Sequence, residues 1–199
     1  AAPFTISGTN GFALSPKVAI GAEGTMAVSW IHQDPIALPS PQQKVQVAVK
    51  PAGATAWITT TLAQGPIGGV AIIGIVPVAV DANGNVTAAW TVWNGAIQVV
   101  QSASMPKGGV WSAPVNLAPG VDGLYLSLSL NAYGDAAVAF TLSPYSSYLT
   151  GTWAQYVLRS GPNGSWTTPV TVSETMPSTV GYITSPMVAL DANGLATVA

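Results

Sequence analysis

Few side chains in this sequence have the types and spacing needed for acid–base chemistry. His32 is the only histidine, and Asp34 lies two residues after it, so the chain offers one local imidazole–carboxylate pair. No Gly-x-Ser-x-Gly motif accompanies the pair to present a nucleophilic serine. We therefore interpret His32 as a loop histidine, with a ligand contact and catalysis as the alternatives.

A second candidate for chemistry is the alternation of Asp81, Asn83 and Asn85, which begins like a calcium-binding loop. The match fails further along, because Gly84 comes too early and no glutamate follows at the twelfth position. The sequence also contains no cysteine that could provide thiolate ligands. The pattern indicates a tight turn, and we predict no metal site and no cofactor.

Composition narrows the range of partners. Only 6% of the residues are charged, against about 25% in typical soluble domains. With five basic residues and a net charge of -2, the chain has little surface for neutralising phosphates, so we expect no nucleic-acid partner. The most apolar segment, 67–80, is interrupted by glycine and proline, so we expect no insertion into a membrane.

The elements that position these residues are set by an internal repeat. A short apolar strand, a turn with glycine and a second apolar strand occur near 18–30, 78–90, 128–140 and 188–199. Such self-similarity without helical periodicity predicts an all-β modular array, and a β-propeller is the commonest form. Glycine supplies the positive φ that a tight hairpin turn requires. The turn glycines are Gly24, Gly84, Gly134 and Gly194.

Each repeat continues with a third strand, a turn rich in Pro and Gly, and a tryptophan that opens a fourth strand, which predicts four-stranded antiparallel blades. Aromatic residues at two repeated points could stack on sugars, but their recurrence in every unit favours packing between blades. They are Trp57, Trp111 and Trp166 before the fourth strand, and Trp30, Trp90 and Phe140 at the end of the second.

The strand count predicts one propeller region over 1–199, with three complete blades and two partial ones. The complete blades are expected at about 16–63, 77–118 and 127–173, and the partial ones at 1–15 and 186–199. Unpaired apolar strands at both ends invite association. We expect a piece of a longer propeller, or a half that completes its ring with another copy.

The turn Ser160-Gly161-Pro162-Asn163-Gly164-Ser165-Trp166 resembles a compressed Asp-box, the repeat of sialidase-type propellers, although it lacks the aspartate. The repeat as a whole resembles exported bacterial repeat proteins, which implies a secreted or cell-surface location. A sialidase activity would need a three-arginine clamp, a tyrosine nucleophile and acidic partners. Arg159 is the single arginine, so this chain alone cannot build that clamp.

The connections after the second strands and between blades differ in length and content, whereas the other turns are short and alike. In a propeller the variable connections emerge on one face, which is typical of a binding surface on a repeated scaffold. The alternative is that long loops merely accumulate polar and aromatic residues. The candidate ligand-binding residues on this face are His32, Asp34, Trp93, Asn94, Asp122, Tyr125, Tyr145, Tyr148 and Tyr182.

These observations predict a non-catalytic binding or scaffold module that recognises a glycan or a protein. One alternative is a part of a sialidase-like hydrolase or lyase whose catalytic residues lie outside this chain. Another is a structural tiling unit that associates with copies of itself.

Overall fold

The structure is a computed structural model that describes residues 5–36, 40–67, 72–93, 97–119, 121–142, 153–173 and 185–199, with backbone alone at 73 and 121–124. Regular secondary structure in these ranges consists of β-strands. Within the same ranges, no helix has the length and apolarity needed to cross a membrane.

The strands form four successive antiparallel sheets, here called blades 1 to 4, and strands that follow one another in sequence pair in each sheet, except for the first two strands of blade 2. Blade 1 contains β1 (Phe12–Ile20), β2 (Met26–Gln33), β3 (Gln42–Lys50) and β4 (Ile58–Pro66). Blade 2 contains β5 (Ile72–Ile73), β6 (Val78–Val80), β7 (Val86–Trp93), β8 (Gln98–Met105) and β9 (Val115–Pro119). Blade 3 contains β10 (Val121–Leu130), β11 (Ala136–Leu142), β12 (Trp153–Arg159) and β13 (Val170–Thr171). Blade 4 contains β14 (Val188–Leu190) and β15 (Ala196–Val198).

Some strand boundaries differ from those expected. β1 begins at Phe12, which pairs with Gln33 of β2, so residues 12–15 belong to blade 1 rather than to a preceding partial blade. In blade 2, β5 and β6 both pair with β7 and share the position of the first strand. The fourth strands begin after the repeated tryptophans instead of at them, and Trp166 forms an isolated bridge with Arg159.

Side-chain hydrogen bonds close the hairpin turns at the start of each blade. In blade 2, the Asp81 carboxylate accepts the backbone N–H groups of Asn83 at 2.9 Å and Asn85 at 2.8 Å. Asn131 and Asp191 accept the corresponding N–H groups in blades 3 and 4. The alternation of Asp81, Asn83 and Asn85 therefore works as an Asx-type turn, because the Asp81 oxygens are occupied by donors of their own hairpin.

The second strands form the centre of the core. Trp90 is fully buried inside β7, which continues to Trp93 instead of ending at this aromatic as predicted, and its Nε1–H donates to Gln101 Oε1 at 3.1 Å. Gln101 Nε2 in turn donates to Asn116 Oδ1 at 2.9 Å on the outermost strand. The indole thus satisfies its donor within its own blade while the ring packs between blades 1 and 2. Blades 1 and 3 repeat the same cross-strand row with Trp30, Gln46 and Thr61, and with Phe140, Gln155 and Thr171.

Successive blades pack through shared apolar clusters and through their hairpins. The clusters join blade 1 to blade 2, blade 2 to blade 3, and blade 3 to blade 4. At Gly84, where φ is +85°, a Cβ would meet the Glu23 carboxylate of the preceding blade. At Gly134, with φ +83°, a Cβ would lie 2.8 Å from Asp81 Oδ2. Glycine is required at both turns by its conformation and by the neighbouring hairpin.

Candidate functional site

His32, Asp34 and Lys44 form a compact polar cluster where β2 ends and β3 begins. Asp34 Oδ1 accepts from Lys44 Nζ at 2.9 Å and lies 3.1 Å from His32 Nε2. Asp34 Oδ2 accepts the backbone N–H of Gln42 at 3.1 Å. The hydrogen bond from Lys44 is the largest cause that lowers the pKa of Asp34 below its ordinary value. Asp34 is therefore an ionised partner for its neighbours and not a proton donor near neutral pH.

The interpretation of His32 as a loop histidine was wrong. His32 lies within β2 and is 7% exposed. A Cβ at Gly11 would approach the His32 ring to 3.0 Å, so the segment before β1 packs directly over the imidazole. His32 contributes to the end of the sheet as a buried, hydrogen-bonded side chain.

The other described candidates lie at the same end of their own blades, here called the loop end. Trp93 is the last residue of β7 and is half-buried. Tyr125 is 42% exposed and lies in β10, at a register shift between Asp122 and Leu126. The Asp122 backbone pairs with Thr141 at this end, but its side chain lies outside the described part. Asn94, Tyr145, Tyr148 and Tyr182 fall outside the described residues.

Arg159, at the opposite end of blade 3, connects two blades. Its guanidinium donates to Ser104 Oγ at 2.5 Å and Thr87 Oγ1 at 3.1 Å in blade 2, and to the Gly134 carbonyl at 3.4 Å in its own blade. Its Cζ lies 5.1 Å from the centroid of the Trp166 ring, within the range of cation–π attraction. This residue is 4% exposed, and its cross-blade role was not predicted from the sequence.

The electrostatic surroundings keep the Arg159 charge compensated. Burial lowers the pKa of Arg159, and the nearby carboxylates of Asp81 and Asp135 act in the opposite direction. Asp135 accepts hydrogen bonds from Asn131 Nδ2 and from the Gly161 N–H, both at 2.7 Å. These bonds, the Asn131 one first, lower the pKa of Asp135. Asp135 is thus ionised, and both carboxylates are engaged in hydrogen bonds of their hairpin turns.

Grooves open between successive blades on the side that carries the hairpins, here called the hairpin end. The groove between blades 2 and 3 has a volume of about 610 Å³ and is lined by Trp111 of blade 2 and Trp166 of blade 3. A smaller groove of about 400 Å³ between blades 1 and 2 is also lined by Trp111. Both rings are half-buried and pack against the apolar clusters that join the blades. Trp111 and Trp166 therefore combine packing with a surface that faces a groove, whereas Trp57 belongs to neither the described clusters nor the described grooves.

The described ranges contain no group of three or more His, Asp or Glu side chains placed to hold a metal ion. The side chains that the repeat places at each turn are committed to backbone donors, as at Asp81 and Asp191.

The sheets, their strand order and the stacking of one blade on the next define the chain as an all-β propeller, with a blade count consistent with a partial ring. The predicted fold class is thus confirmed.

Solved propeller glycosidases have the same architecture. The chain is similar to an α-L-arabinanase of Penicillium chrysogenum complexed with arabinobiose, with a TM-score of 0.59 and 13% identity over 94% of this chain and 58% of that one. It is also similar to the Hadza microbial sialidase Hz136, with a TM-score of 0.56 and 12% identity over 88% of this chain and 39% of that one. The chain thus spans less than two thirds of either protein, and the sialidase resemblance holds at the level of the fold.

No protein-family model and no curated protein sequence matches the chain.

Proposed function

We propose that the chain is a non-catalytic binding module that recognises a glycan or a protein through its loop end. The observation that carries this proposal is the placement of the described candidates at one end of three successive blades. Trp93 and Tyr125 add aromatic surface there, and Asp34 adds a half-buried carboxylate beside the buried His32. The arabinobiose complex of the arabinanase supports a glycan as the first ligand class to test.

The state of the described carboxylates supports a role without catalysis. Glycoside hydrolysis generally uses a pair of carboxyl groups, one of which is kept protonated by a raised pKa. Hydrogen bonds instead lower the pKa values of Glu23, Asp34 and Asp135, and the largest contributions come from Lys107, Lys44 and Asn131 respectively. These groups are better suited to holding turns and blade contacts than to delivering a proton.

The low charge of the chain and its resemblance to exported bacterial repeat proteins also support a secreted or cell-surface location. A glycan or protein ligand at a bacterial surface would be reached from outside the cell. Cell fractionation followed by protease accessibility on intact cells would test this location.

The binding proposal is tested by substituting Trp93→Ala and Tyr125→Ala together and measuring binding on a glycan array and in pull-downs. We expect the double variant to lose binding. The control is Tyr133→Ala, which removes a 68% exposed aromatic ring from the opposite end and should leave binding unchanged. Unchanged binding by the loop-end variant, or hydrolysis of array glycans by the unmodified chain, would contradict the proposal.

Self-association is a second candidate function, and the surface of β1 favours it. Phe12, Val18 and Ile20 are 59%, 75% and 67% exposed, whereas blades 2 to 4 bury apolar residues against a preceding blade. We propose that this face packs against another blade, from a second copy or from the rest of a longer chain. Light scattering should give a mass above that of one chain, reduced by Val18→Lys. A mass equal to that of one chain would exclude packing of this face against a second copy.

A further inference from the structure

We propose that the groove between blades 2 and 3 is a second binding site, for a neutral oligosaccharide. This tryptophan groove is lined by Trp111, Asn116, Arg159, Asn163 and Trp166 among others. It lies at the hairpin end, so it is separate from the loop end of the proposed function.

Two different blades build the walls of the tryptophan groove. Blade 2 contributes the outer strands β8 and β9 and the turn that carries Trp111, and blade 3 contributes the turn 162–167 that carries Trp166. The volume of about 610 Å³ falls within the range of roughly 300–1,000 Å³ that is typical of small-molecule sites. The groove is therefore large enough for a small ligand without any rearrangement of the blades.

The aromatic surfaces are fixed before a ligand arrives. Arg159 stacks on the Trp166 ring at 5.1 Å and is held by Ser104, Thr87 and the Gly134 carbonyl. Trp111 packs against the apolar cluster of blades 1 and 2. A ring that is already immobilised loses little conformational entropy when it binds. Sugar rings present apolar C–H faces that can lie on such aromatic surfaces.

The polar lining suits the hydroxyl groups of a sugar. Asn116 uses its Oδ1 to accept from Gln101, and its Nδ2 has no partner within the described part of the chain. Asn163 and Ser165 are exposed at the rim, and in the same ranges their side chains make no hydrogen bond. These amides and the hydroxyl offer both donors and acceptors.

The charge distribution favours a neutral ligand over an acidic one. Arg159 is the one charged side chain among the described residues that line the groove. Arg159 is 4% exposed, and its guanidinium lies close to the carboxylates of Asp81 and Asp135. An anionic ligand would gain little from a cation whose charge is already compensated by those two carboxylates.

Trp57 provides a matched internal control. It holds the same point of blade 1 as Trp111 and Trp166 hold in blades 2 and 3, and it is half-buried like them. It lines none of the described grooves. Substitution of Trp57 therefore removes the same side chain from the same repeat position without touching the tryptophan groove.

The test is a titration followed through the indole N–H signals of the seven tryptophans. The probes are cellohexaose, xylohexaose and mannohexaose, together with an oligogalacturonate and an extended uncharged peptide. We expect at least one neutral oligosaccharide to shift the signals of Trp111 and Trp166 and to leave Trp57 and Trp93 unchanged. Trp166→Ala should weaken that binding about tenfold, as expected for the loss of one ring face, and Trp57→Ala should not.

Exposed variants keep the proposal testable if Trp166→Ala fails to fold. Asn163→Ala and Ser165→Ala alter rim residues and should weaken binding of the same oligosaccharide without changing the melting temperature. Three results would overturn the proposal: no neutral probe shifts Trp111 and Trp166; the oligogalacturonate or the peptide shifts them instead; or saccharide binding shifts Trp93 alone. The last result would still support the proposed function at the loop end.

Discussion

Substitution of Arg159 by methionine removes the guanidinium that connects blades 2 and 3. The repeat itself suggests this replacement, because Met105 occupies the equivalent position of blade 2 and Lys50 that of blade 1. Arg159→Met therefore keeps a side chain that the scaffold accepts at this point, and Arg159→Lys keeps the charge. If Arg159 is a structural connector, both variants should be less stable than the unmodified chain.

The magnitude follows from the contacts of Arg159. Thr87 and Ser104 remain hydrogen-bonded to each other at 3.1 Å, so removal of the guanidinium leaves neither hydroxyl unpaired. The loss is then the charge-assisted hydrogen bonds to Ser104 and Thr87, about 1.5–3 kcal/mol each, a weak one to the Gly134 carbonyl, and the stacking on Trp166, about 1 kcal/mol. Removal of the buried charge also removes its desolvation penalty of several kcal/mol, which offsets most of this loss, and we expect a net destabilisation of about 2 kcal/mol. For a chain of this size that lowers the melting temperature by about 4–8 °C.

Urea and thermal unfolding followed by tryptophan fluorescence would measure the effect. Arg159→Lys should lie between the unmodified chain and Arg159→Met, because an ammonium cannot reproduce the planar guanidinium contacts. The control is Lys107→Met, which removes an ion pair to Glu23 between blades 1 and 2 whose lysine side chain is 55% exposed. That variant should unfold almost as the unmodified chain does. An unchanged or raised midpoint for Arg159→Met would refute the structural role and point to a residue retained for a ligand.

Two further predictions concern the hairpins. Gly84→Ala should destabilise the chain by about 1–2 kcal/mol in urea unfolding, because φ is positive there and the new Cβ would overlap the Glu23 carboxylate of the preceding blade. Gly53→Ala should destabilise the chain less, since φ is +74° but no atom lies within 4 Å of the added Cβ. Equal destabilisation by the two substitutions would contradict the close contact between Gly84 and Glu23. The pKa of Asp135 is lowered in the folded chain from its ordinary value of 3.8. The ionised carboxylate therefore stabilises the fold at pH values above 3.8, and this stabilisation is lost as the pH falls through the lower folded-state pKa. Asp135→Asn should therefore weaken the pH dependence of the melting temperature below about pH 4. If the melting temperature of the variant falls with pH as steeply as that of the unmodified chain, Asp135 does not have this role.

The hairpins and the buried second strands were predictable because their signals are local. Alternating apolar residues, a glycine such as Gly84 and a buried aromatic such as Trp90 lie within ten residues of one another. The start of β1 was not predictable in this way. A register shift between Leu14 and Lys17 breaks the alternation, and Ser15 has φ +52°, so the strand continues through a segment whose pattern indicates an interruption.

The contacts of the candidate sites depend on long-range register. The proximity of His32 to Asp34 is visible in the sequence, but the Lys44 partner becomes a neighbour only through the pairing of β2 with β3. Arg159 is further removed from any local pattern, since Ser104 and Thr87 lie 55 and 72 residues away in another blade. The burial of this arginine and the tryptophan groove beside it depend on how two blades pack, which no short motif encodes.

The stacked hairpins explain why glycine is constant in the repeat while the acidic residues move. Glu23, Asp81 and Asp135 each place a carboxylate against the turn glycine of the next blade, although they are the third, first and fifth residues of their turns. A carboxylate can reach the next blade from several positions of a turn, whereas the turn residue that it contacts there must have a positive φ and no Cβ. The repeat therefore retains the glycine and varies the acid. Because these carboxylates are used in blade stacking, the ligand recognition that we propose would rely on aromatic and neutral polar side chains.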